Sequence, residues 1–254
     1  MSIEGTKIAV VGAGRVGSTL AYTLSSSGVA REIVVIDANR ERAEGEAMDI
    51  THAVPFYAPV SVKPGGLADA AGAAVTVIAA GAAQREGESR PALLVRNVEV
   101  LRGIVTEVVR ANPEGLLLIA TNPVDALTFA ALRVSGLPPA KVFGSGTVLD
   151  TARLRAELSA HYGVDARNVH AYVLGEHGDS ELVAWSAATL ASVQLHEYCR
   201  LTGMSCTGED MAAMATRVRD SAYEIIRRKG ATNFAIAAAL TRIIEAVVRN
   251  QASV

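Results

Sequence analysis

The chain predicts an α/β fold, a doubly wound parallel sheet followed by a mostly helical α+β segment, and three observations carry that prediction. Short apolar runs alternate with helical patterns over the first 144 residues. The first of these runs ends in a glycine-rich turn, Gly12-Ala13-Gly14-Arg15-Val16-Gly17. Beyond Gly144 the alternation gives way to long helices rich in Ala, Arg and Glu.

The elements follow in order. Lys7-Ile8-Ala9-Val10-Val11 reads as a buried strand that runs into the glycine turn and then a helix. Gly12 makes the turn, Gly14 lets the backbone approach a pyrophosphate, and Gly17 lets the helix pack closely on the strand. The free N–H groups at the helix start suit phosphate, so Gly12, Gly14, Val16 and Gly17 are candidate cofactor contacts of a Rossmann-type domain. A second apolar run, Ile33-Val34-Val35-Ile36, ends at Asp37, 20 residues beyond Gly17. A carboxylate there accepts ribose hydroxyls and repels a 2′-phosphate, which favours NAD over NADP, although Arg40 lies close by. Further strands are expected over residues 75–80, 116–120 and 142–143, with helices over 93–110 and 125–135. Helices over 149–162, 208–229 and 233–250 then dominate. The pattern sets a boundary near residue 144, with a nucleotide-binding domain over 1–144 and a catalytic, substrate-binding domain over 145–254.

Composition narrows the function classes. In 254 residues, half are hydrophobic and a fifth charged, which describes a compact globular chain rather than a disordered one. The net charge of −2, with both signs interspersed, leaves no broad basic surface, so neither nucleic acid nor a membrane is an expected partner. Residues 67–83 are the most apolar stretch, but Asp69, Gly72 and Gly81 interrupt it, and a short helix with a buried strand is the expectation. The opening MSIEGTK carries a Glu and no basic region, so a cytoplasmic location is expected. Cys199 and Cys206 lie seven apart without metal-site spacing, which reads as incidental thiols in a reducing compartment and predicts no metal centre.

In a doubly wound sheet ligands bind beyond the carboxyl ends of the strands. The loop from Gly81 and Ala82 to Arg90 has a length that suits either a lid over substrate or a solvated surface loop. Thr121-Asn122-Pro123-Val124-Asp125 restricts Asn122 before a proline open to the cis form, or simply starts a helix capped by Asp125. Asp150 and Arg153, three apart, share one face of a helical turn, as functional groups or as a surface ion pair. Leu174-Gly175-Glu176-His177-Gly178-Asp179-Ser180 brackets a histidine with glycines and carboxylates, either an acid–base group or a hydrogen-bonded core histidine.

The motifs VVGAGRVGS, AGAAQREGESR, TNPVD, GSGTVLDTARLR, VLGEHGDSE and KGATNFAIA, together with Asp37, stand in an order and spacing that resemble the L-lactate/L-malate dehydrogenase family over practically the whole chain. The resemblance implies that His177 exchanges a proton with the carbonyl oxygen of a 2-oxo acid while hydride passes from the nicotinamide. It implies that Asp150 fixes the imidazole and favours its charged form, and that Arg153 binds the substrate carboxylate with its forked guanidinium. Arg90 would polarise the reacting carbonyl as its loop closes, Asn122 would lie beside nicotinamide and substrate, and Thr232 would line the pocket. Gln84 occupies the position facing the substrate C3 group, where malate-type members carry Arg. A neutral Gln leaves a second carboxylate unpaired, so pyruvate and lactate are the expected substrates, with Arg85 the neighbour that complicates the choice.

Arg155 and His170 occupy the positions that hold fructose 1,6-bisphosphate across a subunit axis in allosteric bacterial members, which implies a homotetramer with that effector, against a solvated Arg and an unrelated His. Two features depart from the pattern. Pro91-Ala92 replaces the usual Leu-Asp, and the sequence stops at Val254 where the family continues with strands and a final helix, so the substrate domain is expected to be incomplete. Three readings follow: a lactate dehydrogenase, a malate or broader 2-hydroxy acid dehydrogenase, and a shortened NAD-binding protein with little catalysis.

Overall fold

The computed structural model describes residues 5–82 and 90–253, with the main chain alone at 90 and 91. Contacts divide the chain into two compact units, Met1–Ser145 with Asn233–Val254, and Gly146–Thr232.

In the first unit the chain runs β1 (Lys7–Val11), α1 (Arg15–Ser27), β2 (Glu32–Ile36), α2 (Arg40–Ala53), β3 (Ser61–Gly65), β4 (Val75–Ile78), α3 (Arg90–Ala111), β5 (Leu116–Ile119), α4 (Val124–Ser135) and β6 (Val142–Gly144). The six strands form one parallel sheet in the order β3-β2-β1-β4-β5-β6. That order is the doubly wound one, with the chain reversing direction across the sheet at β1 and β4. Because strand side chains alternate between faces, Ile8, Val10, Ile33, Val35 and Val77 enter one core with Leu20 and Leu24 of α1. Ala9, Val11, Ile78 and Ile119 enter the other with Leu101, Val105 and Leu127. Burial on both faces explains why these strands read as unbroken apolar runs.

Strand β3 has no such run. It lies at the sheet edge, pairing only with β2, and an edge tolerates Lys63 and Pro64 because half its backbone groups need no ladder partner.

The second unit comprises α5 (Val148–Tyr162), β7 (Val169–His170), β8 (Val173–Leu174), β9 (Leu182–Val183), β10 (Thr189–Leu190), β11 (Val193–Gln194), α6 (Leu195–Thr202) and α7 (Gly208–Lys229). Two small antiparallel ladders, β11-β10-β7 and β8-β9, accompany the helices. Leu154, Leu158 and Tyr162 of α5 pack with Val169, Val173, Leu190, Met214 and Val218 in a separate core. Helix α7 starts at a reciprocal cap, in which the Thr207 hydroxyl accepts the Asp210 N–H while the Asp210 carboxylate accepts the Thr207 N–H.

The last helix is α8 (Phe234–Val248), within the stretch 233–250 that the sequence expects to be helical. By contact it belongs to the first unit, where Leu240, Ile244 and Val248 are buried in the same core as α1. Its Ala- and Ile-rich face supplies the apolar cover, and Asn233 Nδ2 donates to Thr19 Oγ1 at 2.9 Å to anchor its start. Among the described residues, no helix is long and apolar enough to cross a membrane.

Leu240 has no exposed surface. Leu240→Ala is expected to cost about 2–5 kcal/mol through lost burial and a residual cavity, read as a lower urea midpoint at unchanged slope.

Candidate active site

The glycine turn shows why each glycine stands where it does. Gly12 has φ +105°, and a Cβ there would lie 2.6 Å from the Ala80 nitrogen, so neither its conformation nor its space admits a side chain. A Cβ on Gly17 would overlap the carbonyl oxygen of Gly12. Nothing comes within 4 Å of a Cβ built on Gly14, which caps α1 without any side-chain bond. The first N–H groups of α1 are therefore left for an anion, with half-buried Val16 beside them. Asp37 sits at the end of β2, where its Oδ2 accepts the Ala13 N–H at 2.7 Å and its Oδ1 the Asn39 N–H at 2.8 Å. These bonds pin the carboxylate next to the turn and leave lone pairs for ribose hydroxyls. The residues present fit a dinucleotide.

Also in the first unit, buried Asn97 ties two of the sequence candidates together. Its Oδ1 accepts the Ala82 N–H at 2.8 Å and its Nδ2 donates to the Asn122 carbonyl at 3.2 Å. Thr121 Oγ1 donates to the Ala80 carbonyl at 2.7 Å. Gly81 lies against Thr121, whose methyl a Cβ would strike. Asn122 itself is exposed, and its peptide bond to Pro123 is cis. Sequence reading passed over Asn97, whose signal is a lone amide in the apolar helix Leu93-Leu94-Val95-Arg96-Asn97-Val98. Gln84 falls outside the described residues, as do residues 83–89 of the expected lid and the side chain of Arg90.

The second unit gathers the charged groups. Asp150, in the first turn of α5 and 1% exposed, receives two basic side chains at once. Its Oδ2 lies 2.6 Å from His177 Nδ1, and its Oδ1 accepts from Arg153 Nη1 at 2.8 Å. Arg153 is itself only 10% exposed, so the i,i+3 pair is an interior one and the surface alternative fails. One arm of the Arg153 fork is thus already committed, while Nη2 is buried with no hydrogen-bond partner among the described residues. An unpaired buried guanidinium donor is costly unless an anion meets it. His177 is held on a loop that needs Gly178 at φ +129°, a region closed to most side chains. Glu181, which sequence reading left aside, closes this loop by donating its N–H to the Gly178 carbonyl at 3.1 Å, and its carboxyl is 5% exposed.

Electrostatics favour charge on the imidazole. The hydrogen bond that His177 donates to Asp150 raises the His177 pKa above its ordinary value, against the opposing effect of burial, and the charges of Asp150 and Glu181 add to the rise. Burial, followed by the nearby Asp150 charge, pushes the Glu181 carboxyl up from the usual carboxylate range.

Thr232 lies half-buried in the connection after α7. Arg155 donates from Nε to the Ala171 carbonyl at 3.2 Å, and its guanidinium stands 5.2 Å from the centre of the Tyr172 ring. His170 is exposed on β7, next in the chain to the carbonyl that Arg155 holds. A cavity of about 450 Å³, lined by Thr6, Lys7, Val75 and Leu116, opens at the amino ends of β1, β4 and β5, away from the ends where such sheets bind nucleotides.

Dinucleotide-dependent oxidoreductases are the class that joins such a glycine turn to a carboxylate-held histidine. Residues 6–144 match the model for the lactate/malate dehydrogenase NAD-binding domain, and 147–254 match that for the alpha/beta C-terminal domain of the same family. The L-lactate dehydrogenase of Acetivibrio thermocellus is 51% identical over 248 residues, covering 98% of this chain and 78% of that protein. L-lactate dehydrogenase 1 of Clostridium acetobutylicum is 45% identical over 251 residues, covering 99% and 80%. The crystal structure of a lactate dehydrogenase enzyme from a Medee basin deep-sea metagenome library superposes with a TM-score of 0.94 at 44% identity, covering 98% of this chain and 79% of that one. The chain belongs to the lactate/malate dehydrogenase family, and its cofactor is NAD.

Replacing Asp150 removes the first cause of the raised His177 pKa. In Asp150→Asn, the titration midpoint of the His177 ring, followed by NMR of its C2 proton, is expected to fall by about one unit or more. Stability follows the same sign. A raised folded-state pKa contributes stability that is complete below the unfolded value of about 6.5 and is lost as pH rises through the folded value, and this part of the pH dependence of Tm should vanish in the variant.

Proposed function

We propose that this chain is an NAD-dependent L-lactate dehydrogenase, reducing pyruvate reversibly to L-lactate. The observation that carries the reading is the 2.6 Å Asp150–His177 contact beside an unpartnered, buried Arg153 Nη2, in a family whose relatives here bear the lactate dehydrogenase name. Bound NADH supplies the hydride. Arg153 binds the substrate carboxylate through the free arm of its fork, which orients the 2-oxo group. His177, whose charged form Asp150 favours by holding its Nδ1, donates the Nε2 proton to the carbonyl oxygen as that oxygen gains negative charge, and accepts it again in lactate oxidation. Asp150 keeps the ring in one tautomer. Arg90 adds positive charge to the carbonyl oxygen, Asn122 and Thr232 line the site, and the Gly12–Gly17 turn with Asp37, Gly81 and Ala82 holds the dinucleotide.

Gln84 selects pyruvate, because oxaloacetate would bring a second carboxylate to a neutral side chain. We also propose that the protein works as a homotetramer in the cytoplasm. Exposed Tyr22, Met48, Phe56 and Phe234 on the first unit support assembly, and the free thiols of Cys199 and Cys206 suit a reducing compartment. The resemblance of Arg155 and His170 to the effector positions of allosteric members supports fructose 1,6-bisphosphate as an effector, and Arg155 bonds the Ala171 carbonyl next in the chain to His170.

NADH oxidation with pyruvate and oxaloacetate in parallel tests the reading, and faster turnover of pyruvate is expected. Gln84→Arg should move relative kcat/KM towards oxaloacetate by tenfold or more, on the order of the ~1–3 kcal/mol that a charged contact contributes. Unchanged relative values would remove Gln84 from the specificity argument. Fructose 1,6-bisphosphate should shift the pyruvate saturation curve to lower concentration, and Arg155→Gln should abolish that shift. A curve indifferent to the effector rejects the allosteric part alone.

A further inference from the structure

The reaction proposed for this site uses Asp150, His177 and Arg153 and leaves one interior carboxyl without a task. Glu181 is 5% exposed, and its Oε1 is buried with no hydrogen-bond partner among the described residues. Asp150, His177 and Glu181 each bring one polar atom within 4.8 Å of the others. A carboxyl in that setting is costly in either protonation state. Neutral, it holds an unpaired polar oxygen out of water; ionised, it stands close to the Asp150 charge. A Leu or Val, like those in the adjacent β8–β9 ladder, would fill the space at no such cost.

We propose that Glu181 is a positioning residue for proton transfer, a second carboxylate beside the Asp150–His177 pair that sets the charge state of the imidazole. The proposal rests on the acid–base reading of His177. The charged groups acting on Glu181 are Asp150 and Arg153 from α5 and His177 from its own loop, while the β8–β9 ladder contributes only Val173, Leu174, Leu182 and Val183. Asp150 opposes ionisation of Glu181, His177 and Arg153 favour it, and His177 and Glu181 are the two groups whose protons are linked. An ionised Glu181 stabilises the imidazolium, and the imidazolium in turn keeps Glu181 ionised despite its burial. Proton transfer from His177 to product removes that support, so Glu181 favours return of the proton and resets the histidine for the next carbonyl.

This proposal predicts a charge effect rather than a packing effect. Glu181→Gln keeps the shape and removes the charge, whereas Glu181→Asp keeps the charge on a shorter arm. NMR titration of the His177 C2 proton in the full chain should show the midpoint lowered by about 0.5–1 unit in Glu181→Gln and retained within about 0.3 unit in Glu181→Asp. The basic limb of kcat/KM for pyruvate reduction should move down with it in Glu181→Gln. An unmoved midpoint in Glu181→Gln, or equal shifts in both variants, overturns the proposal. In the unsubstituted protein the same resonance should titrate in two steps, the more acidic one tracking a 13C-labelled Glu181 carboxyl, so the proposal stays testable if either variant fails to fold; independent titration of the two groups also overturns it. Because the NMR readout needs no turnover, an enzyme silent with pyruvate would count against the lactate dehydrogenase reading and leave the His177–Glu181 linkage to be judged separately.

Discussion

A carboxylate taken almost wholly out of water and shared between a histidine and an arginine is the interaction on which the second unit is organised. Asp150 has no stable place in the interior unless both oxygens are met, and His177 and Arg153 meet them at 2.6 and 2.8 Å. The arrangement therefore dictates where the other two side chains must lie. Arg153 is fixed because it sits one turn along α5, and His177 is fixed because the glycine-bearing loop delivers its Nδ1 to the remaining oxygen. Among the described residues, the same geometry leaves Arg153 Nη2 buried without a hydrogen-bond partner. Stability and chemistry draw on one set of bonds, so the site cannot be loosened without exposing an unpaired interior charge.

Rigidity for that arrangement comes from the back of α5. Leu154, Leu158 and Tyr162 lie in the core with Met214 and Val218 of α7, so the helix is held along its length while its first turn presents Asp150 and Arg153. The Thr147 and Thr151 hydroxyls both reach the Val173 carbonyl, at 2.7 and 3.5 Å, tying the start of the helix to the strand that leads into the histidine loop. In the first unit a steric constraint plays the corresponding part. The carbonyl of Gly12 occupies the space where a Gly17 side chain would be, so strand and helix approach closely enough to present a bare helix terminus beside Asp37.

Much of this was readable before any coordinates. Apolar runs marked five of the six parallel strands because a strand buried on both faces is almost wholly apolar, with Thr76 of β4 a buried exception, and the glycine spacing with Asp37 marked the nucleotide turn. Strand β3 escaped because an edge strand carrying Lys63 and Pro64 has no apolar signature. The small ladders of the second unit escaped because strands of two residues are too short for any periodicity. Helix α8 is legible as a helix, but an amphipathic pattern records that a face is buried without recording what covers it, here the core that α1 shares.

At the site, the sequence by itself determined the residue types and their local spacing: Asp150 and Arg153 on one helical face, His177 between glycines, and the Gly12–Gly17 turn, all of which depend on backbone geometry within a few residues. Tertiary structure decided what those groups do to one another. It placed the Asp150–Arg153 pair in the interior rather than on the surface, joined Asp150 to a histidine 27 positions away, left one arm of Arg153 open, and brought Glu181 into the same group. Burial and contact between distant segments set those outcomes, because the strength of a charge interaction depends on how much water has been removed around it, and no local pattern in a chain records that.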